Sequence, residues 1–205
     1  MSAIRAFTSR EIRKFRVTTD SDHSLPIAPN LLEQDFTADA PNRVWVGDIT
    51  YVWTAQGWSY LAVLLDLFAR RVVGWAFANH MRQELPLKAL RRALEARQPG
   101  SGLIHHSDRG SQYAGRKYRA VLTEHEVACS MSRAGDSYDN AVAESFFASL
   151  KKECLSRTHF ATYTEAFDAI AAYIDGFYNP VRRHSALGYV SPISYEQVWN
   201  RSHAA

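Results

Sequence analysis

The sequence predicts a mixed α/β domain in which helices cover both faces of a five-stranded sheet. Three strand-like segments follow one another from about residue 44 to residue 78, which is typical of an antiparallel meander. Strand-like and helical segments then alternate, which indicates a sheet with helices packed against it. The 205 residues suffice for one such domain with flanking segments, and 46% hydrophobic residues can form its core.

The three segments of the meander differ in how apolar they are. The first, VWVGDITYVWT, alternates, so that its even-numbered positions share one face: Val44, Val46, Asp48, Thr50 and Val52. A Gln56–Gly57 turn leads into WSYLAVLLDLF, whose nearly continuous apolar run is typical of a central strand covered on both faces. RRVVGWAFA is the third strand.

Helical and strand patterns alternate from residue 84 onwards. ELPLKALRRALEAR has leucines at helical spacing and ends before Pro99–Gly100. GLIHH is a short fourth strand, residues 114–126 form a second helix and VACSM is a fifth strand. DNAVAESFFASLKKE and TEAFDAIAAYIDGFYN are two further amphipathic helices, and we expect the last segment, NPVRRHSALGYVSPISYEQVW, to be irregular.

Composition also divides the chain and limits its functions. We expect a basic arm and extended linker over residues 1–42, a core over 43–178 and a basic tail over 179–205; the arm either contacts DNA or is a solvated face. The net charge of +3 permits nucleic-acid binding. The two cysteines lack CxxC spacing and predict free thiols in a reducing compartment. No apolar run is long enough for a membrane span, so we expect a cytoplasmic protein.

Three carboxylates on three different elements form the candidate site. Asp48 interrupts an apolar strand, Asp108 directly follows a short apolar run, and Glu144 lies on a helix. Partly buried carboxylates are costly unless they are paired or bind a metal. A site made only of oxygen atoms suits Mg²⁺ or Mn²⁺ better than zinc. The alternative interpretation is that these are ordinary charges at strand ends and on a helix surface.

Several charged residues allow two interpretations each. Asp66 lies in an apolar strand and is expected to form a structural ion pair with the nearby Arg70 or Arg71. Arg109 follows a candidate ligand, so it either binds phosphate or stabilises the fold. The basic cluster at Arg182 and Arg183 either binds DNA or is solvated.

The two adjacent histidines and the helix that carries Glu144 allow more definite expectations. His105 and His106 must lie on opposite faces of their strand, and His106 shares the face of Asp108. Lys151 follows Glu144 by two helical turns, about 10.5 Å, and projects from the same side of the helix. The ammonium group is therefore placed to contact a backbone phosphate, with a solvated helix charge as the alternative. Either Asp139 or Asn140 can cap the start of this helix.

Five motifs together resemble the second-reading-frame transposase of a large bacterial insertion-sequence family, whose catalytic core is similar to retroviral integrase. They are GDITYV, DLFARRVVGW, HHSDRGSQY, DNAVAESFFASLK and YNPVRRHSALGYVSP. The resemblance covers residues 12–197 in order and implies a ribonuclease H-like fold. The family also carries an N-terminal helix-turn-helix region, of which we expect only the final linker here. The loop before Glu144 departs from the family pattern at Ala134, Asp136, Ser137 and Tyr138, and we expect a weaker DNA contact there.

The resemblance assigns roles to the candidate residues. It implies a DDE polynucleotidyl transferase in which Asp48, Asp108 and Glu144 are catalytic and hold two Mg²⁺ or Mn²⁺ ions. The function it implies is DNA strand cleavage and strand transfer at transposon ends. The partners are double-stranded DNA and, on that DNA, further copies of the chain, in a nucleoid-associated assembly. A non-catalytic DNA-binding remnant and a small-molecule phosphohydrolase are the alternative functions.

The remaining assignments concern the surroundings of the carboxylates. Four basic residues are assigned to DNA: Lys151, Arg109, Arg182 and Arg183. His106 and Asn140 are assigned to positions beside the metal ligands.

Overall fold

The computed structural model describes residues 23–33, 35–133 and 141–204. Most of the basic arm, the loop before Glu144 and Asn140 lie outside the described residues, so the expectations for them stay predictions.

A five-stranded mixed sheet forms the centre of the molecule. Its strands are β1 (Val44–Thr54), β2 (Gly57–Asp66), β3 (Arg71–Ala78), β4 (Ile104–Ser107) and β5 (Ala128–Met131). They lie in the order β3-β2-β1-β4-β5. The pairs β1–β2 and β2–β3 are antiparallel, whereas β1–β4 and β4–β5 are parallel. The predicted meander and the mixed five-stranded sheet are both confirmed.

Six α-helices accompany the strands in the described part of the chain. They are α1 (Glu84–Arg97), α2 (Ser111–Ala114), α3 (Arg116–Glu124), α4 (Ala141–Glu153), α5 (Tyr163–Ala171) and α6 (Pro192–Ser202). A π-helical segment, Ala172–Tyr178, continues α5. The helix predicted over residues 114–126 is confirmed as α3, whereas the short α2 before it was not predicted; Gly115, which has extended backbone angles, separates the two. A Cβ atom at Gly115 would lie 1.9 Å from the Gln83 side chain, so a larger residue there would displace the end of that side chain.

The two faces of the sheet carry separate hydrophobic clusters. Trp45 and Ile49 of β1 pack in the cluster that contains α1 and α3. Val46 and Val52, which point the other way, pack in the cluster that contains α4 and α5. Helices therefore cover both faces, as predicted. Because strand side chains alternate, Asp48 lies on the face of the sheet that α4 covers.

The prediction of an irregular tail is wrong for residues 192–202, which form α6. Ser191 caps this helix by accepting a hydrogen bond from the Ser194 backbone N–H, and Pro192 occupies its first turn. Glu196 in α6 is only 2% exposed and forms an ion pair with Arg97 of α1. A contact between residues so far apart in sequence holds α6 against the core, and the local pattern did not show it.

The described residues before β1, 23–33 and 35–43, have no regular secondary structure, as the linker prediction expected, but they pack against the domain. The Leu31 N–H donates to Ser130 Oγ at 2.9 Å, and the Met131 N–H donates to the Pro29 carbonyl at 3.3 Å. Leu32 is buried. The segment thus lies along β5, the outer strand of the sheet, and satisfies polar groups there.

Candidate active site

The parallel pairing of β1 with β4 brings the first two candidate carboxylates together. Gly47 is opposite Ser107 in the last pair of this register. One step further along both strands places Asp48 beside Asp108, on neighbouring strands about 5 Å apart. Both residues are half-buried. Residues 60 positions apart in the sequence therefore become neighbours at the carboxyl end of β4.

A buried tyrosine hydroxyl marks the same place. Tyr113 is 2% exposed, and its hydroxyl has no hydrogen-bond partner among the described residues. Burial raises the pKa of this hydroxyl well above its usual value, and the charges of Tyr118, Asp48 and Asp108 raise it further. Both aspartates therefore act electrostatically on this buried hydroxyl. The hydroxyl is protonated, and it can donate a hydrogen bond there.

Two glycines allow the backbone to pass close to this point. A Cβ atom at Gly47 would lie 2.8 Å from His105 Nε2. A Cβ atom at Gly110 would lie 2.9 Å from Asp108 Oδ1, the same oxygen that accepts a hydrogen bond from the Gly110 N–H at 2.9 Å. The turn after β4 therefore fixes the Asp108 carboxylate by a backbone hydrogen bond and leaves space beside it.

Glu144 lies on α4, which packs over the same face of the sheet. Ala143, Phe146 and Leu150 of this helix are buried, whereas Glu144 is exposed. Within residues 23–33, 35–133 and 141–204, no group of three or more His, Cys, Asp or Glu side chains is close enough to hold a metal ion. The structure thus brings Asp48 and Asp108 together and leaves Glu144 outside their immediate cluster.

The two histidines point to opposite sides, as the sequence predicts. His105 Nε2 is 2.9 Å from the Tyr118 hydroxyl, and burial lowers the pKa of His105 to about 3, so this imidazole is neutral. His106 Nδ1 is 2.8 Å from Ser130 Oγ, in the neighbouring strand β5. Both rings are almost fully buried. His106 therefore links β4 to β5 beside Asp108. Its role next to the metal ligands stays a prediction.

The basic residues predicted to bind DNA differ in how they are engaged. Arg109 Nε donates to the Ser132 carbonyl at 2.6 Å, so this guanidinium stabilises the loop after β5. Arg182 donates from Nε and Nη2 to the Glu153 carboxylate at 2.9–3.1 Å and from Nη2 to Ser149 Oγ. Arg183 is exposed. Their assignment to DNA stays a prediction.

Lys151 lies at the mouth of a cavity rather than in open solvent. Its Nζ is 5.1 Å from the ring centroid of Tyr51 on β1. The cavity beside it, with a volume of about 320 Å³, is formed by the β1–β2 hairpin and the segment after α4. The ammonium group therefore lies beside β1, the strand that carries Asp48, and its assignment to DNA stays a prediction.

Asp66 is a structural residue, as predicted, but its partner was predicted wrongly. The carboxylate is fully buried, accepts hydrogen bonds from the Asn42 and Phe68 N–H groups, and lies 3.6 Å from Arg97. Arg71 is opposite Asp66 in the β2–β3 register but forms its ion pair with Glu196. Arg97 comes from α1, so only the packing of the helix reveals the pair. Both cysteines are free thiols, as expected.

Comparison with known proteins identifies the family. An integrase core domain matches residues 38–137, and a second integrase core domain matches residues 125–192. A 31 kDa protein of the insertion element IS600 of Shigella sonnei is 48% identical over 94% of this chain and 71% of its own length. The chain belongs to the integrase-core transposases of bacterial insertion sequences.

A further relative and two solved structures agree with this family. Transposase InsF of the insertion sequence IS3A of Escherichia coli K12 is 46% identical over 90% of this chain. The chain spans 64% of the length of that transposase, which is less than two thirds.

The HTLV-2 integrase catalytic core domain in complex with magnesium, in a trimeric form, matches 78% of this chain and 99% of its own with a TM-score of 0.61 at 15% identity. The simian T-cell lymphotropic virus intasome, solved in complex with a PP2A regulatory subunit, matches 87% of this chain and 61% of its own with a TM-score of 0.65, also at 15% identity. These likenesses confirm the ribonuclease H-like fold.

Sequence reasoning missed three residues of the site region. Tyr113 stands inside the motif HHSDRGSQY, only five positions after Asp108, and its place there was a usable signal. Trp53 and Trp58 are opposite each other beside the turn of the first hairpin, and the sequence analysis assigned them no role in the site. In the described residues, no helix is long and apolar enough to cross a membrane.

Proposed function

We propose that the chain is the catalytic core of a transposase that cuts and joins DNA strands at the ends of an insertion sequence. The observation that carries the proposal is the juxtaposition of Asp48 and Asp108 at the carboxyl end of β4. The family to which the chain belongs supports it, as does the presence of all three carboxylates. That presence also disfavours the non-catalytic remnant.

The donor set fits divalent metal ions. Asp48 and Asp108 offer oxygen atoms side by side, and the space beside Gly110 would be filled by any larger residue. Oxygen ligands of this kind suit Mg²⁺ or Mn²⁺, and a solved neighbour of the same fold is an integrase core in complex with magnesium. We propose that Asp48, Asp108 and Glu144 hold two such ions. When bound, these ions polarise the phosphodiester and lower the pKa of the attacking water or 3′-hydroxyl.

The residues of the chain contribute position and charge. The Gly110 N–H donates to one oxygen of Asp108 and so holds the orientation of this carboxylate. The protonated Tyr113 hydroxyl can donate a hydrogen bond into the carboxylate site, where water or a phosphate oxygen would accept it. Lys151 supplies a positive charge beside the site, which would hold the backbone of the bound strand.

Partners and surroundings follow from this chemistry. We propose that the substrate is double-stranded DNA carrying the element ends and the target, that the protein acts in the cytoplasm at the nucleoid, and that several copies assemble on the DNA. The forms in which integrase cores have been solved, a trimer and a dimer, support assembly.

Strand cleavage and joining on labelled duplexes with candidate element ends test the proposal. We expect activity with Mg²⁺ or Mn²⁺ and loss of at least three orders of magnitude in Asp48→Asn, Asp108→Asn and Glu144→Gln. Asp168→Asn is the matched control, because this aspartate is exposed on α5, away from the two aspartates of the site. Full activity of the three carboxylate variants would refute the proposal. Equal loss in the Asp168 variant would show that charge alone is responsible.

A further inference from the structure

A cavity at the tip of the β1–β2 hairpin is not used by the chemistry described above. This hairpin cavity has a volume of about 320 Å³, within the range of small-ligand sites, roughly 300–1,000 Å³. Its wall combines aromatic and cationic side chains, among them Tyr51, Trp53, Trp58, Lys151, His159 and Phe160.

Three aromatic rings on neighbouring strands form one side of the hairpin cavity. Trp58 contacts Tyr51 edge-on, with ring centroids 5.1 Å apart, and contacts Trp53 with centroids 4.8 Å apart. Trp53 is nevertheless 44% exposed. A large ring that is held by its neighbours and still faces solvent is typical of a binding surface rather than of a core.

The charge of the hairpin cavity selects the class of ligand. Lys151 Nζ stands 5.1 Å from the Tyr51 ring. The described residues that line the cavity include no Asp or Glu. A ligand that joins a flat ring to a negative charge would satisfy both features, because the ring stacks on an aromatic side chain and the ammonium group pairs with the charge.

The walls are fixed before any ligand arrives. The Ala55 N–H at the hairpin turn donates to the Phe160 carbonyl at 2.9 Å. The Tyr163 N–H donates to Gln56 Oε1 at 2.8 Å. These two hydrogen bonds join the hairpin to the segment after α4. Ligand binding would therefore not include the loss of conformational entropy that ordering this wall would require.

The position of the hairpin cavity relates it to the carboxylate site. Tyr51 follows Asp48 by three residues of β1, about 10 Å. Lys151 follows Glu144 by two turns of α4, about 10.5 Å. The distance from Asp48 to Tyr51 equals about three nucleotide steps of 3.4 Å along one strand of DNA.

We infer that the hairpin cavity binds an unpaired nucleobase of the DNA substrate a few nucleotides from the reacting phosphate. Trp53 provides the stacking surface, and Lys151 holds the phosphate of the same strand. The inference rests on the proposed function, because the bound nucleotide belongs to the DNA that the proposed transposase cuts. It predicts that DNA with unpaired bases near the cleavage point binds more tightly than fully paired DNA.

The test is a binding titration of the full chain in EDTA, which prevents cleavage. Two duplexes of equal charge are compared, one fully paired and one with three mismatched positions that include 2-aminopurine, whose fluorescence falls when it stacks on an aromatic ring. Wild-type protein should bind the mismatched duplex about 5- to 100-fold more tightly, the range measured for base–aromatic stacking. Trp53→Ala should lose this preference and the fluorescence change, and Trp53→Phe should retain most of both.

Two further variants separate stacking from charge and from general damage. Lys151→Ala should weaken binding of both duplexes by the same factor, because phosphate contacts carry no information on pairing. Trp75→Ala, on the other edge of the meander, should bind both duplexes as wild type does. Thermal melting of each variant establishes that it is folded.

The possible outcomes distinguish a failure of this inference about the hairpin cavity from a failure of the proposed function. Equal affinity of wild-type protein for the two duplexes overturns the inference, and so does a preference that survives Trp53→Ala. A Trp53→Ala variant with unchanged DNA binding but altered sedimentation would assign the hairpin cavity to a protein contact and also overturn it. A base preference without any metal-dependent cleavage would instead refute the proposed function and leave the hairpin cavity standing. Absence of all DNA binding would refute both.

Discussion

Replacing Glu196 with alanine should destabilise the folded protein by about 3 kcal/mol. The Glu196 carboxylate is buried between two guanidinium groups, at the point where α6 meets the sheet and α1. Arg97 donates to both of its oxygen atoms at 2.8 and 2.9 Å, and Arg71 donates to one of them. Removing one partner from a buried ion pair leaves the other charge without compensation, which costs about 3–5 kcal/mol.

The structure places Glu196 at the lower end of that range. Arg71 is 29% exposed in its side chain, so water can solvate its charge once the carboxylate is gone. The side chain of Arg97 is 14% exposed, but after the substitution it still has a hydrogen bond to Asn42 Oδ1 at 2.9 Å and an ion pair with Asp66 at 3.6 Å. For a chain of this length, 1 kcal/mol corresponds to roughly 2–4 °C in melting temperature, so we expect a decrease of about 6–12 °C.

Urea unfolding followed by circular dichroism measures the change directly. Glu95→Ala is the matched control, because Glu95 is exposed on α1 and its removal should change the free energy of unfolding by less than about 0.5 kcal/mol. The double variant with Arg97→Ala should lose less stability than the sum of the two single variants, since the two residues are coupled. A Glu196→Ala variant as stable as the control would show that α6 is not held by this ion pair and would refute the reasoning.

Three further predictions concern pH, metal and DNA. Burial raises the pKa of Asp66 from 3.8 to about 6, so between these pH values the folded protein binds one proton more than the unfolded chain. The free energy of unfolding should therefore fall as pH rises from 4 to 7, by up to about 3 kcal/mol. Urea titrations of the wild type and of Asp66→Asn measure this difference. Asp48→Asn should raise the melting temperature of the metal-free protein, because it removes repulsion from Asp108, and should lose most of the stabilisation of about 1–3 kcal/mol that Mn²⁺ gives the wild type. Lys151→Ala should leave metal affinity measured by calorimetry nearly unchanged and reduce the slope of log K against log salt for DNA binding by about 1.

Each of these has a control and a contradicting result. A pH profile of Asp66→Asn parallel to that of the wild type would show that Asp66 does not carry the extra proton. Identical melting of wild type and Asp48→Asn with EDTA and with Mn²⁺ would mean that Asp48 and Asp108 share no metal. Lys88→Ala, on the opposite face of the sheet, should bind DNA as wild type does; an equal effect of Lys88→Ala and Lys151→Ala would assign the salt dependence to net charge.

Much of the fold could be predicted because its signals are local. The strands β1 to β3 and the helix α1 follow from alternation, apolar runs and helical spacing, and α1 begins and ends where its pattern does. The opposite orientation of His105 and His106 follows from strand geometry alone. The Ser191–Pro192 pair was also a local signal for the start of α6, and the prediction of an irregular tail overlooked it.

The sequence by itself determined the candidate carboxylates but not their arrangement. Asp48, Asp108 and Glu144 were recognisable from their setting and from the motifs of the family. The tertiary structure decided that Asp48 and Asp108 are neighbours, since the register of a parallel pair depends on how the crossover packs. It also decided that Arg97 is the partner of Asp66 and that Glu153 is the partner of Arg182.

The physical reason is the same in each case. Periodicity reports which face of its own element a side chain occupies, because backbone geometry fixes that direction. An ion pair or a cavity depends on elements that meet only after the chain has packed, and any of several charges of suitable sign could have been the partner. The hairpin cavity likewise exists only because the segment after α4 returns to the β1–β2 turn through the hydrogen bond between Ala55 and Phe160.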